Sequence, residues 1–307
     1  MSLDASTADL GYVTVTRDFD APREVVFGAF TAPQQLARFW GPTGTHVPPG
    51  SVVIEPVAGG RFEATIVADD GSGEYAFRST FVEITAPEMF SFRENGASVL
   101  STSTFTDLGN GRTRVVIEQS EVPPAYRSIE GLTGFATTLE LLADHLGSVA
   151  TGSGDRGLTQ VVVASAAGIR ITRDFAAARE QVWSAWTTPT SFAQWFGTRA
   201  VSVPADRLSW DVREGQDWAA VMVLPDGAEI NWRGRFTLVD APLRLEFTMT
   251  DEPQESFSPI TVELSEVAGG TRMVVVQGGG FMPAEGYRQA GNGWGGFFDV
   301  MADVITP

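Results

Sequence analysis

Few side chains in this 307-residue chain could perform acid–base chemistry or hold a metal ion. The chain contains two histidines, four tyrosines and no cysteine, and all 21 of its basic residues are arginine. Without cysteine it cannot form disulfides, thiolate metal sites or thiol nucleophiles. Without lysine it cannot form a lysine Schiff base or use a phosphate-loop lysine. This inventory favours ligand binding over catalysis, and we expect no catalytic residue, no metal site and no cofactor.

Arginines and tyrosines at equivalent positions of an internal repeat are candidate ligand contacts. Arg78 and Arg233 fall on corresponding predicted strands, where a guanidinium could hold a ligand carboxylate through paired hydrogen bonds. Strand alternation equally allows both arginines to face solvent from the outer side of a sheet. Tyr126 and Tyr287 each precede the last helix of their copy, where a tyrosine ring can pack while its hydroxyl meets a ligand. Ordinary loop packing is the alternative for both tyrosines.

Three further polar residues of the first copy could face a ligand. His46 lies in a proline-rich loop and could exchange a proton. The second copy has Ser202 at that position, so a polar surface role stays open for the histidine. Arg61 likewise has no counterpart, because Asp217 replaces it. Tyr75 belongs to the strand face that carries the aromatic residues, which is expected to point inward.

Tryptophan is concentrated in the second copy, which holds seven of the eight. Trp232 and Trp294 stand where the first copy has phenylalanine, and Trp210 stands where it has isoleucine. Replacement of one aromatic by another is typical of a core whose neighbours absorb a modest change in volume. A ring cage around a ligand is the alternative, which makes these residues and Trp40 candidate cavity residues.

The repeat itself predicts the domain organisation. Between residues 15 and 42, 13 of 28 positions are identical to the residues 156 positions later. A repeat of this length is a duplicated domain rather than a solenoid unit. We predict a first domain at residues 11–146, a Gly- and Ser-rich flexible linker at 147–157, and a second domain at 158–307. Because phenylalanine is smaller than tryptophan, the first domain is expected to have the more open cavity.

Each copy predicts an α+β domain with the same order of elements. An alternating strand is followed by two short helices, six antiparallel strands and a long closing helix. The closing helices are predicted at residues 128–146 and roughly 294–304. The glycines between residues 286 and 296 indicate either that the second helix starts late, after Gly296, or that the helix approaches the sheet closely or forms a mobile lid there. Thr31 and Gln34 have the spacing of a capping box for the second short helix.

Short motifs in the first copy resemble a known family. Residues 20–27 read DAPREVVF and residues 39–42 read FWGP, and the turn at residues 55–60 is similar to the family's glycine turn. The pattern resembles the activator of heat-shock protein 90 ATPase homologue family, in the START-like (SRPBCC) superfamily. The resemblance implies two tandem helix-grip domains. In each, a curved antiparallel sheet wraps around a long C-terminal helix, with two short helices after the first strand.

The fold resemblance and the aromatic interior predict a non-catalytic protein that binds an apolar or amphipathic small molecule in a helix-grip cavity. A polyketide cyclase or aromatase is one alternative, because tandem helix-grip proteins occur among those enzymes. An interaction module that activates a chaperone ATPase is another, with the chaperone as partner. The net charge of −17 argues against nucleic-acid partners, and no run of apolar residues is long enough for a membrane span. Without a signal pattern, the expected location is cytoplasmic; the oligomeric state is left open.

Overall fold

A computed structural model describes residues 11–124, 129–149, 160–251 and 256–305. The chain divides into two compact units, Met1–Val161 and Val162–Pro307, called here the first and second unit. Each unit is an antiparallel sheet that packs against a long C-terminal helix, with two short helices after an early strand. Both units therefore have the expected α+β helix-grip fold.

Within its described residues, the first unit has eight strands and three α-helices. Its elements are β1 (Gly11–Phe19), α1 (Arg23–Thr31), α2 (Pro33–Leu36), β2 (Thr45–His46), β3 (Val53–Ile54), β4 (Arg61–Ala68), β5 (Glu74–Thr85), β6 (Met89–Glu94), β7 (Leu100–Gly109), β8 (Arg112–Val122) and α3 (Ile129–Val149). The strand order is β1-β8-β7-β6-β5-β4-β2, and β3 pairs with β4.

The second unit repeats this plan with one additional early strand, and an isolated bridge between Ser202 and Val223 stands where the first unit has β2. Its elements are β9 (Gln160–Ser165), β10 (Gly168–Phe175), α4 (Arg179–Thr187), α5 (Pro189–Trp195), β11 (Leu208–Ser209), β12 (Asp217–Val223), β13 (Glu229–Asp240), β14 (Arg244–Met249), β15 (Ser258–Val267), β16 (Gly270–Gln277) and α6 (Ala284–Ile305). The strand order is β9-β10-β16-β15-β14-β13-β12-β11.

Alternation of buried and exposed side chains fixes which face of each sheet meets the helix. In the first unit the inward residues form a core rich in phenylalanine, to which helix α3 contributes Leu139, Leu142 and Leu146. The second unit has a tryptophan-rich core, in which Trp186, Trp195 and Trp218 are fully buried. Equivalent positions thus carry aromatic residues of different size in the two cores.

Two polar contacts occur identically in both units. Asp18 on β1 accepts hydrogen bonds of 2.6 and 2.9 Å from Arg114 on β8. Asp174 on β10 accepts two bonds of 2.7 Å from Arg272 on β16. Buried threonine hydroxyls, one in each unit, also donate 2.7 Å bonds to the backbone just after the first paired strand. These contacts join the ends of the same two strands in each unit.

Helix α6 begins at Ala284, so the predicted start at residue 294 is wrong. Glycine propensity favoured the later start, but tertiary packing overrides it. At Gly291 a Cβ atom would lie 2.7 Å from Cγ1 of Val162, so the helix approaches the sheet closely there. Helix α3 ends at Val149, inside the predicted linker, and residues 150–159 lie outside the described residues.

The predicted capping box at the second short helix is also wrong. The hydroxyl of Thr31 donates a 3.1 Å bond to the carbonyl of Phe27, which makes Thr31 the last residue of α1. Ala32 occupies the N-cap position of α2 without a side-chain cap. Pro33 at the first helical position sets this boundary, because the residue before proline favours an extended backbone.

In the described part of the chain, no helix is both long enough and apolar enough to cross a membrane.

Candidate functional site

The first unit has an open cavity of about 220 Å³ between the inward face of its sheet and helix α3. The α2–β2 connection supplies one wall, and the first half of α3 supplies another. The lining residues are Trp40, Gly41, Pro42, Ile66, Phe77, Phe92, Glu94, Val99, Ser101, Gln119, Gly134, Phe135 and Thr138.

Aromatic rings form the apolar walls of this first cavity. The ring of Trp40 lies with its centroid 5.4 Å from Phe77, 6.4 Å from Phe92 and 5.9 Å from Phe135. These rings meet at interplanar angles of 59° to 69°, a geometry typical of edge contacts in aromatic clusters. The side chains hold one another in place and present hydrocarbon surface to the cavity.

Polar side chains cross the sheet at one end of the first cavity. Glu94 at the end of β6 is half-buried, and Ser79 lies directly opposite it on β5. Ser101 on β7 accepts a 3.2 Å hydrogen bond from the amide of Gln119 on β8. The hydroxyl of Tyr75 donates a hydrogen bond to Oε1 of Glu94. Burial raises the pKa of the Glu94 carboxyl, because the low-dielectric surroundings disfavour its charged form.

The second unit encloses a cavity of about 360 Å³ at the equivalent position. The lining residues are Phe196, Trp232, Met249, Thr250, Asp251, Ser256, Ser258, Gln277, Phe281, Met282, Ala290, Gly293, Trp294 and Phe297. This second cavity is larger than the first, contrary to the expectation drawn from side-chain bulk. Most of the added tryptophan bulk does not point into the cavity. Trp232 and Trp294 line the cavity, whereas Trp186, Trp195 and Trp218 fill the core beside it.

The two tryptophans that line the second cavity have satisfied indole nitrogens. Nε1 of Trp294 donates a 2.9 Å hydrogen bond to Oε1 of Gln277. Nε1 of Trp232 lies 3.2 Å from the sulfur of Met222. Both rings therefore present apolar surface to the cavity. Asp251 is an exposed carboxylate at the rim.

Several predicted site residues meet at the cavities, and others do not. Trp40 lines the first cavity, and Trp232 and Trp294 line the second. Tyr75 is 51% exposed at the edge of the first unit and reaches the cavity through its bond to Glu94. Tyr126 lies outside the described residues.

Trp210 and Tyr287 lie outside the lining of the second cavity, and Trp210 lines a separate surface pocket of the second unit. The Trp210 ring stacks on Phe192 with centroids 3.6 Å apart, and its Nε1 donates a 2.7 Å bond to the carbonyl of Trp186. Tyr287 is fully buried, and its hydroxyl accepts a 3.2 Å bond from the amide of Phe281. The tyrosine thereby holds the glycine-rich loop that precedes helix α6.

The remaining polar candidates lie outside both cavity linings. Nδ1 of His46 is 2.6 Å from Oδ1 of Asp69 on the exposed surface. Arg61 forms paired hydrogen bonds with Glu55, and these bonds lower the pKa of that carboxyl. Arg78 donates to the backbone carbonyls of Ala64 and Phe77 at 3.0 and 2.9 Å. Arg233 is exposed and lies 5.7 Å from the centroid of the Phe257 ring. Strand alternation explains both strand arginines, since their neighbours on each side point inward.

The sequence analysis missed the polar residues of the cavities. Phe92 and Glu94 share one face of β6, so alternation alone could have placed the carboxyl beside the aromatic wall. Gln119 and Gln277 lie 158 positions apart at equivalent points of β8 and β16, and each lines its own cavity. Within the described ranges, no group of three His, Cys, Asp or Glu side chains could hold a metal ion.

The fold and its cavities define the class of protein, a helix-grip domain present twice in one chain. The chain belongs to the family described as Activator of Hsp90 ATPase homolog 1-like protein, whose family profile matches residues 20–147 and 176–306.

Solved structures with similar folds come from several bacteria. An AHSA1 protein from Silicibacter pomeroyi is 24% identical, covers 45% of this chain and 96% of its own length, and has a TM-score of 0.41. An AHSA1-like protein from Aeromonas hydrophila is 26% identical over 44% of this chain and 91% of its own, with a TM-score of 0.37. A protein from Chromobacterium violaceum is 21% identical over 46% and 97%, with a TM-score of 0.42. A comparison with curated proteins finds no significant match.

Proposed function

We propose that this protein is a non-catalytic carrier or sensor that binds an apolar or amphipathic small molecule in its helix-grip cavities. The observation that carries the proposal is that each unit keeps an aromatic-walled cavity between its sheet and its closing helix. Ligand sites are typically concave, largely apolar and supplied with a few polar groups, and both cavities have this composition. We expect the protein to act in the cytoplasm.

The cavity volumes set the size of ligand. An engineered apolar cavity of about 150 Å³ accommodates benzene, so 220 Å³ in the first unit suits one aromatic ring with a short chain. The second cavity, at about 360 Å³, lies within the range of small-molecule sites, which begins near 300 Å³. It suits a ligand of about two rings or a medium-length alkyl chain.

Direct binding measurements on the full chain test the proposal. Propylbenzene and naphthalene are the neutral probes, followed by native mass spectrometry for stoichiometry and by thermal shift for stabilisation. Ligand at about 100 times its Kd stabilises the native state by about 2.7 kcal/mol. Gly134 and Gly293 line the two cavities, and a Cβ atom at either would meet open space. The G134L/G293L double variant is therefore expected to lose binding, and no binding to the unmodified chain would overturn the proposal.

An acid–base enzyme such as a cyclase or aromatase is the second candidate function. The observation that favours it is the Glu94 carboxyl, which has a raised pKa in a cavity that could hold a folded substrate chain. Reconstitution with a polyketide synthase tests it: the product pattern must change on adding the protein and revert with E94Q. An unchanged product pattern rejects the enzyme.

Activation of a chaperone ATPase is the third candidate, and it rests on the family description alone. Mixing the full chain with a purified chaperone of the Hsp90 type must raise the rate of ATP hydrolysis. An unchanged rate rejects this role.

A further inference from the structure

The two units differ at three of four equivalent positions on adjacent strands. In the first unit these positions carry a polar stripe, defined as Ser79, Glu94, Ser101 and Gln119. In the second unit the same positions on β13 to β16 carry Gly234, Met249, Ile260 and Gln277. Strand register supports the pairing of positions, since Gln119 lies opposite Ser101 as Gln277 lies opposite Ile260. Three of the four polar positions are thus apolar or lack a side chain in the second unit.

Glu94 is the charged member of the polar stripe and lacks a cationic partner among the described residues. The neighbouring Arg93 alternates to the other face of β6, where it lies 3.4 Å from Glu121. Among the described residues, the hydrogen bond to the Glu94 carboxyl comes from Tyr75. A half-buried carboxylate without a compensating cation is costly, and burial accordingly raises its pKa.

A second polar group, beside Glu94, has no hydrogen-bond partner among the described residues. Ser79 is 1% exposed, and among the described residues its Oγ has no hydrogen-bond partner. It lies directly opposite Glu94 in the β5–β6 register. Buried polar atoms are almost always paired in folded proteins. Oε1 of Glu94 accepts the bond from Tyr75, so Oε2 of Glu94 and Oγ of Ser79 are the adjacent atoms that lack a protein donor among the described residues, and they mark the point at which a ligand donor would be stabilised.

The second cavity has no carboxylate at the equivalent point. Met249 replaces the carboxyl, and Oε1 of Gln277 is already bonded to the indole of Trp294 at 2.9 Å. In the first cavity the amide of Gln119 is held by Ser101, which leaves Glu94 facing the cavity. The charged group at the second cavity, Asp251, is at the exposed rim, where water solvates it.

From these differences we propose that the first cavity binds a small aromatic molecule that carries a primary ammonium group, and that the second binds a neutral apolar molecule. This proposal rests on the small-molecule binding proposed above. The ammonium group donates to the Glu94 carboxylate while the ring packs among Trp40, Phe77 and Phe92. An ammonium placed beside these rings also gains from their negative faces.

Three matched probes test the proposal on the full chain. They are 2-phenylethylamine, propylbenzene and 3-phenylpropanoate, which share a ring and a short chain but end in an ammonium, a methyl and a carboxylate. The G293L variant, which narrows the second cavity, confines binding to the first. We expect the amine to bind about tenfold to hundredfold more tightly than propylbenzene and the carboxylate to bind least, as charge-assisted hydrogen bonds imply.

The second arm of the test uses variants in which the residues at equivalent positions of the two units are exchanged. In the G293L background, E94M places in the first cavity the residue of the second, and we expect it to abolish the amine preference while propylbenzene still binds. E94Q keeps the bond from Tyr75 but removes the charge, so it gives the same result if E94M folds poorly. M249E, in a G134L background, is expected to give the second cavity a preference for the amine.

The outcomes separate this proposal from the one on which it rests. If none of the three probes binds the unmodified chain, both fail. If propylbenzene binds but the amine binds no more tightly, the cavities bind small molecules and the ammonium anchor is rejected. An amine preference that survives both E94M and E94Q also rejects Glu94 as the anchor.

Discussion

The two units keep the same scaffold contacts and differ at their cavities. The carboxylate–guanidinium pairs that join β1 to β8 and β10 to β16 occur in both units, at distances of 2.6–2.9 Å. At the cavities, Glu94 in the first unit is replaced by Met249 at the equivalent position in the second, and the volumes are about 220 and 360 Å³. Contacts between strands are constrained by the fold itself. Residues that face a cavity are not constrained in this way, and their divergence is what the proposed difference in ligand requires.

The largest expected effect is the loss of stability when a core aromatic residue of either unit is truncated. Phe30 and Trp186 occupy equivalent positions and are 1% and 0% exposed. We expect F30A and W186A each to lower the free energy of unfolding by about 3–5 kcal/mol. W186A should cost more, because the lost indole packs on Trp195 with centroids 4.6 Å apart. Urea unfolding, monitored by hydrogen exchange in peptides from each unit, measures the loss of stability in each unit.

Exposed residues on the same units control for non-specific effects. Val25 and Leu243 are 45% and 44% exposed, so V25A and L243A should stay within about 0.5 kcal/mol of the unmodified chain. A loss in these variants as large as that of F30A would contradict the division between core and surface.

Breaking the ion pair that both units share is expected to cost less stability, and to cost a different amount in each unit. The Asp18 side chain is 19% exposed and that of Asp174 is 33% exposed, although their bonds are alike. We expect D18N to cost about 1.5–3 kcal/mol, in the range for hydrogen bonds to charged groups. D174N should cost about 1 kcal/mol or less, because water screens the more exposed pair. Equal losses in thermal unfolding would show that exposure does not distinguish the two pairs.

The fold was predictable from the sequence because the repeat and strand alternation are both local patterns. Residues 15–42 recur at a fixed spacing, and the alternation within each strand follows from backbone geometry. The start of helix α6 was not predictable in this way. Its glycines have low helix propensity, but Gly291 lets the helix approach Val162 and Ile169, a contact distant in sequence.

The site was predictable only in part. Trp40, Trp232 and Trp294 were recognised as candidates because aromatic residues stand out in composition, and the structure places them on cavity walls. The carboxyl of Glu94 was missed, although alternation with Phe92 places it on the inward face of β6, because alternation does not show that a cavity lies beside that face. Its significance depends on the strands at its sides and on helix α3, which are assembled only in the fold.

Glycines on the closing helices test the cavities against the scaffold. Gly134 and Gly293 have open space at the Cβ position, whereas a Cβ at Gly291 would meet Val162 at 2.7 Å. We expect G134L and G293L each to stabilise the native state by about 1 kcal/mol through helix propensity. G291L should instead lower stability by about 1–3 kcal/mol through overpacking. Chemical denaturation measures all three, and a loss in G134L would mean that the space beside it is not open.

The smallest expected effect is a difference in pH dependence between the cavities. Because burial raises the folded-state pKa of Glu94, the folded protein holds this proton where the unfolded chain has released it. Its contribution to stability therefore falls as pH rises from the ordinary value of 4.5 through the raised value. Replacing Glu94 by glutamine removes that loss, so the E94Q protein should gain stability relative to the unmodified chain as pH increases.

Among the described residues that line the first cavity, Glu94 is the one carboxyl, and none is a histidine. Tyr75 faces it from β5, and Ser101 and Gln119 face it from β7 and β8 without charge. Carboxyls whose pKa is lowered by arginine, such as Asp217, change stability in the opposite direction but equally in both proteins. The measurement is the difference in Tm between E94Q and the unmodified chain from pH 4 to 8. The matched M249Q variant introduces no ionisable group, so its difference should be flat; a flat profile for E94Q as well would mean that the first cavity does not perturb its carboxyl.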